Sequence, residues 1–173
     1  MKKVLIVVDF QNDFVDGSLG FENANKLDEV IYSKIKEYKE NGDDIIFTFD
    51  THYEDYLDTF EGKNLPVKHC IKGTFGHNLY GKVATLCDSN DKCFEKNTFP
   101  SLDLANYLKQ CNYKEVELCG LVSNICVISN AIMVKSALPN ASIIIDSKAT
   151  DSFDKVLHEQ TLNVLKGLQI IVK

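Results

Sequence analysis

The chain has 173 residues, 45% of them apolar and 25% charged, with a formal net charge of −6. That length supports one domain with a sizeable core, and the composition is that of a globular protein rather than a disordered or fibrous one. The acidic balance and the lack of any long Lys or Arg run leave a nucleic-acid partner without electrostatic support.

The first apolar run, residues 4–8 after Met1-Lys2-Lys3, is β-branched and continuous and predicts a strand. It is too short to span a membrane and no small-residue cleavage site follows it, so the expectation is a single cytoplasmic domain over 1–173 with no membrane partner. Leu27, Val30, Ile31, Ile35 and Tyr38 fall at helical spacing, and Asn41-Gly42 ends that helix. Residues 45–49 predict the second strand. A polar stretch over 50–76 follows, long for a compact domain and therefore a candidate functional loop. A short helix is expected over 79–86 and a weak third strand over 92–95. Pro100-Ser101 opens a helix carrying Leu102, Leu104, Ala105 and Leu108. Residues 116–119 predict the fourth strand, and 124–137, apolar nearly all round, a buried helix. Residues 142–145 read as the fifth strand, 154–166 as a helix and 168–172 as the sixth strand. Continuous apolar strands alternating with helices predict a mostly parallel six-stranded sheet covered on both faces, a three-layer α/β/α sandwich.

None of the six cysteines forms a C-x-x-C pair, so neither a zinc knuckle nor a thioredoxin-like site is indicated. In a reducing cytoplasm each is first a small buried hydrophobe. Position changes that for Cys126. Open parallel sheets bind ligands beyond the carboxyl ends of their strands. Asp9 follows strand one, Asp50 and His52 follow strand two, Lys96 follows strand three, and Cys126 follows the turn after strand four. Taken singly, each has a plainer reading: a turn cap, a solvated lysine, a core thiol. Together they place an acid, a cation and a thiol on one rim. A thiol attacks a carbonyl once a base takes its proton or a cation favours the thiolate. Asp9 is the candidate base, Lys96 the cation, and backbone N–H groups after Gly120 the candidate oxyanion donors. In the long loop, Asp50, His52, Glu61 and His69 have the donor chemistry of a zinc, iron or manganese site. His77 and His158 have no such context and read as ordinary surface or helix residues.

The sequence resembles the nicotinamidase/isochorismatase-like cysteine hydrolases. The resemblance rests on Val8-Asp9-Phe10-Gln11-Asn12-Asp13-Phe14, Asp50-Thr51-His52, Leu65-Pro66-Val67-Lys68-His69-Cys70 with Gly73-Thr74, Lys96, and Gly120-Leu121-Val122-Ser123-Asn124-Ile125-Cys126-Val127. It covers nearly the whole chain in order. It implies strand order 3-2-1-4-5-6, a catalytic triad of Asp9, Lys96 and Cys126, and a cis peptide between Leu121 and Val122. It also implies an oxyanion hole from the N–H groups of Val122 and Cys126. One divalent ion, zinc first with iron or manganese as alternatives, would be held by Asp50, His52 and His69, with Glu61 as the added ligand of some members. Phe14 matches an aromatic that stacks on the substrate ring, and Phe99 joins it. The implied activity is hydrolysis of nicotinamide to nicotinate and ammonia through a thioester, with a homo-oligomer as a possible assembly. The alternative enzyme reading is a metal-independent amidase of another small amide. The non-enzyme alternative, a phospho-acceptor domain with Asp and Lys at strand ends, leaves the long loop and the cysteine turn unexplained.

Overall fold

A computed structural model describes residues 2–173. The strands are β1 (Lys3–Val8), β2 (Asp44–Asp50), β3 (Lys92–Lys96), β4 (Glu115–Leu121), β5 (Ser142–Asp151) and β6 (Ile171–Val172). They form one sheet in the order β3-β2-β1-β4-β5-β6, and every neighbouring pair is parallel, so the expected mostly parallel sheet is wholly so. The helices are α1 (Asn12–Val15), α2 (Leu27–Glu40), α3 (Phe60–Asn64), α4 (Leu102–Lys109), α5 (Ile128–Ala137) and α6 (Lys155–Gly167).

Alternation along the buried strands makes the three layers. Leu5 and Val7 of β1 point to the side where Ile31, Ile35 and Tyr38 of α2 pack. Val4, Ile6 and Val8 point to the other, against Leu104 and Leu108 of α4, Ala131 and Val134 of α5, and Leu162 and Leu165 of α6. Because both faces are covered, β1 shows no polar alternation in sequence. Helix starts follow local chemistry: Ser101 accepts from Leu104 N–H at α4, and Asp154 accepts from Leu157 N–H at α6.

Several expectations need correction. The helix over 79–86 is only a 3₁₀ turn, Val83–Leu86. The segment expected as one buried helix from 124 begins as a π-helical turn, Ser123–Val127, where Val127 N–H reaches five residues back to Val122 C=O. The helix proper, α5, leaves Ile132 exposed. Val30 and Leu102 also lie on the outer sides of their helices. β5 runs six residues past its apolar run, because pairing with β4 resumes after a register shift at Gly120↔Thr150 and Leu121↔Asp151. β6 is shorter than expected: Gln169 adopts a left-handed φ of 61° and Ile170 N–H still bonds Leu165 C=O, so extended pairing starts only at Ile171. Among the described residues no helix is long and apolar enough to cross a membrane.

Candidate active site

At the carboxyl end of β1 the chain leaves the sheet through Asp9, whose φ of 46° is sparsely allowed for a residue with a Cβ. Thr48 of β2 holds it there: Asp9 N–H is shared between Thr48 C=O and Oγ1, each at 3.2 Å, and the Thr48 hydroxyl donates to Asp9 Oδ1 at 2.6 Å. β4 approaches the same point through Gly120, at φ 109°, where any Cβ would collide with the Val8 backbone. Lys96, at the end of β3, sends Nζ to 2.6 Å from Asp9 Oδ2 and 3.3 Å from Asp50 Oδ1. The Asp9 contact is a close ion pair without the alignment of a hydrogen bond. The same Nζ lies 3.7 Å from Cys126 Sγ.

All four groups are buried, and this sets their protonation. Burial pushes the Asp9 carboxyl up, and Lys96 opposes it. Burial pushes the Cys126 thiol well up; Lys96 pulls it down, while Asp9 and Asp50 add to the rise. Burial would lower Lys96, but its carboxylate neighbours and the sulfur raise it, so it remains an ammonium. For the thiol, desolvation thus outweighs the pull of the Lys96 cation.

Beside this group, Asp50, His52, Glu61 and His69 bring one ligand atom each to within 4.8 Å of one another. Asp50 Oδ2 lies 3.1 Å from His52 Nε2 and 3.2 Å from His69 Nε2, and Glu61 Oε1 lies 3.6 and 3.8 Å from the same nitrogens. Such separations suit donors that share one ion with bonds of about 2 Å. The long loop is ordered around them. Thr59 caps α3 and carries Glu61 into place. His52 N–H bonds Cys70 C=O at 3.0 Å, and Lys72 N–H bonds His52 C=O at 2.8 Å. His69 Nδ1 lies 2.8 Å from Val67 C=O, which leaves Nε2 for the cluster.

Three positioning side chains escaped sequence reading. Gln11 is fully buried; its Oε1 accepts from Asp50 N–H at 2.8 Å, and its Nε2 donates to Asp50 C=O at 2.9 Å and His77 C=O at 2.8 Å. Asn130, also fully buried, accepts from Ser101 N–H at 2.9 Å and donates to Phe99 C=O at 3.1 Å and Cys126 C=O at 2.8 Å. It therefore ties the Phe99 segment to the cysteine turn. His158 Nδ1 lies 2.9 Å from Ser123 Oγ within that turn. Of the two histidines expected to be ordinary surface or helix residues, His158 does lie in α6 but is buried on Ser123, and His77 is half-buried rather than on the surface, with Nε2 2.8 Å from Thr51 Oγ1. Their partners are far off in sequence, so no local pattern marks them.

A cavity of about 480 Å³ opens onto the cluster, a size usual for small-molecule sites. Phe14, Phe99, Val122, Cys126, Asp50, Glu61 and His69 all line it, together with Phe153, which sequence reasoning missed. Phe14 packs on the His69 ring at 5.5 Å between centroids. The Leu121–Val122 peptide is cis. Every residue singled out from sequence as a site residue thus falls in one contiguous group.

A model of the isochorismatase domain matches residues 3–172. The isochorismatase family protein PncA of Bacillus subtilis is 32% identical over 174 residues, covering 94% of this chain and 93% of its own. A nicotinamidase of Acinetobacter baylyi is 28% identical over 198 residues, covering 96% and 91%. The crystal structure of nicotinamidase/pyrazinamidase PncA from Bacillus subtilis matches with a TM-score of 0.87 at 31% identity, over 99% of each chain.

Proposed function

The chain belongs to the isochorismatase family, and from that premise we propose that it is a cysteine amidohydrolase converting nicotinamide to nicotinate and ammonia. One observation carries the reading: Lys96 Nζ stands 3.7 Å from Cys126 Sγ and 2.6 Å from Asp9 Oδ2, and Cys126 lies at the wall of a cavity that is also lined by three phenylalanines and by the metal-type donors Asp50, Glu61 and His69. The names of the Acinetobacter and Bacillus relatives point to the same substrate.

Cys126 attacks the amide carbon as Asp9 takes the thiol proton. A thiol raised by burial stays protonated until that base is used, and Lys96 then stabilises the sulfur anion and keeps Asp9 from binding its proton too tightly. The N–H groups of Val122 and Cys126 serve the carbonyl oxygen as it gains charge. Asp9 returns the proton to the leaving ammonia, then activates the water that cleaves the thioester. Phe14 and Phe99 flank the ring. Asp50, His52, Glu61 and His69 would hold one divalent ion, zinc first and iron or manganese next, which when bound supplies a Lewis-acid contact for the ring nitrogen. All six cysteines are free thiols, which suits a cytoplasmic enzyme.

The test is ammonia release from nicotinamide by protein supplied with zinc, iron or manganese. Turnover that falls when a chelator removes the ion supports the proposal. No turnover of nicotinamide by the metal-supplied protein overturns the substrate, and undiminished turnover in chelator overturns the metal role.

A further inference from the structure

We propose that Cys87 and Cys93 form a thiol–disulfide exchange site, separate from the catalytic cavity, whose oxidant is a low-molecular-weight disulfide such as a glutathione-type compound.

The two sulfurs lie 3.8 Å apart across a short loop. Cys87 ends the Val83–Leu86 turn in an extended conformation, and Cys93 is the second residue of β3. β3 is an edge strand, so the approach to Cys93 from outside the sheet is not blocked by a neighbouring strand. Cys93 is exposed and Cys87 half-buried. Neither lines the cavity that contains Cys126.

The loop between them is fastened without using either sulfur. Lys39 Nζ donates to Leu86 C=O at 2.7 Å and to Asp88 and Asp91 carboxylates at 2.8 Å each. Asp91 accepts from Asp88 N–H at 2.9 Å, and Asp88 accepts from Asn90 N–H at 2.8 Å. Two thiols are therefore held side by side by a scaffold, and the sulfurs need close by only about 2 Å to bond. The hydrogen bond from Cys87 pushes the Cys93 thiol down to about 7, outweighing burial, whereas the same contact and burial push Cys87 up. Burial also pushes up Cys70, Cys119 and Cys126. Cys93 is thus the attacking sulfur and Cys87 the resolving one.

The chemistry balances. The Cys93 thiolate attacks one sulfur of the small disulfide, forming a mixed disulfide and expelling one small thiolate. Cys87 gives its proton to solvent and attacks Cys93 Sγ, forming the protein disulfide and expelling the second small thiolate. Two protein thiols are oxidised and one small disulfide is reduced to two thiols. Transient disulfides of this kind are compatible with a reducing cytoplasm.

The experiment incubates pre-reduced protein with glutathione disulfide near neutral pH and reads intact mass and cysteine-containing peptides. The parent should lose two hydrogens and yield a peptide joined through Cys87 and Cys93, reversed by a phosphine reductant. Cys87→Ser should stop at a glutathione adduct on Cys93, and Cys93→Ser should form neither product. The first attack should be about threefold faster than on an unperturbed thiol, since a lower pKa gains thiolate but costs nucleophilicity. Cys126→Ala should react like the parent, which keeps this outcome independent of the proposed amidase. A first adduct on Cys111 or Cys126, an absence of the 87–93 link in folded parent protein, or loss of the reaction in Cys126→Ala overturns the proposal.

Discussion

Lys34 and Lys96 each lie between two carboxylates, and the difference between their surroundings separates a scaffold from a site. Under α2, Lys34 Nζ is 2.7 Å from Glu117 and 2.8 Å from Asp146. At the carboxyl edge of the sheet, Lys96 Nζ is 2.6 Å from Asp9 and 3.3 Å from Asp50. In the first cluster every oxygen has a partner. Tyr38 OH donates to the second oxygen of Glu117 at 2.7 Å, and Lys148 N–H donates to the second oxygen of Asp146 at 2.9 Å. In the second, Asp9 Oδ2 has a cation beside it but no aligned donor, and the group borders a thiol and a cavity. Buried charge that is fully paired holds elements together. Buried charge with unspent hydrogen-bonding capacity facing a cavity is available for proton transfer.

Breaking the edge cluster should have the largest effect. Lys96→Met is expected to lower nicotinamide turnover by about a thousandfold while far-ultraviolet circular dichroism stays native, because the thiolate loses its counter-charge. Retained turnover in that variant would detach the lysine from the chemistry. Breaking the closed cluster should do the reverse. Glu117→Ala leaves Lys34 with one partner and should cost about 3 kcal/mol in urea unfolding, with turnover per folded molecule within about twofold of the parent. Asn130 joins the two kinds of role. Asn130→Ala strands buried backbone groups of Ser101, Phe99 and Cys126, so about 1–3 kcal/mol should be lost. KM should rise as well, because the Phe99 segment loosens over the substrate; a purely structural asparagine would leave KM alone. The smallest effect concerns acid. Burial alone would raise Asp146, but Lys34 and Lys148 N–H hold its carboxyl below the ordinary range. A depressed folded value contributes stability that is complete above the unfolded value, about 4, and is lost as pH falls below it. The stability gap between parent and Asp146→Asn should therefore be present at neutral pH and close in acid; a gap that persists below the folded value would contradict the assignment.

The fold was legible where its physics is local. Continuous apolar runs announced a parallel sheet covered on both faces, and Pro100-Ser101 announced a helix start. The site was legible because strand ends in such a sheet share an edge, so Asp9, Asp50, Lys96 and Cys126 could be brought together by counting strands. The resemblance to a family then added the named oxyanion donors, the aromatics Phe14 and Phe99 and the substrate. What escaped was non-local. Gln11 meets Asp50 across 39 positions, Asn130 meets Phe99 across 31, and Ser123 meets His158 across 35. A single polar residue bonding distant backbone or side-chain atoms leaves no periodic trace. The extension of β5 escaped for a similar reason: residues 146–151 lack an apolar run and owe their pairing to the register shift opposite Gly120.

The most direct measurement compares Cys126→Ala and Glu117→Ala in one assay of ammonia release from nicotinamide, with folded protein quantified by circular dichroism. Cys126→Ala should lose turnover and keep its stability, whereas Glu117→Ala should lose stability and keep its turnover. Ammonia release by folded Cys126→Ala at the parent rate would contradict this.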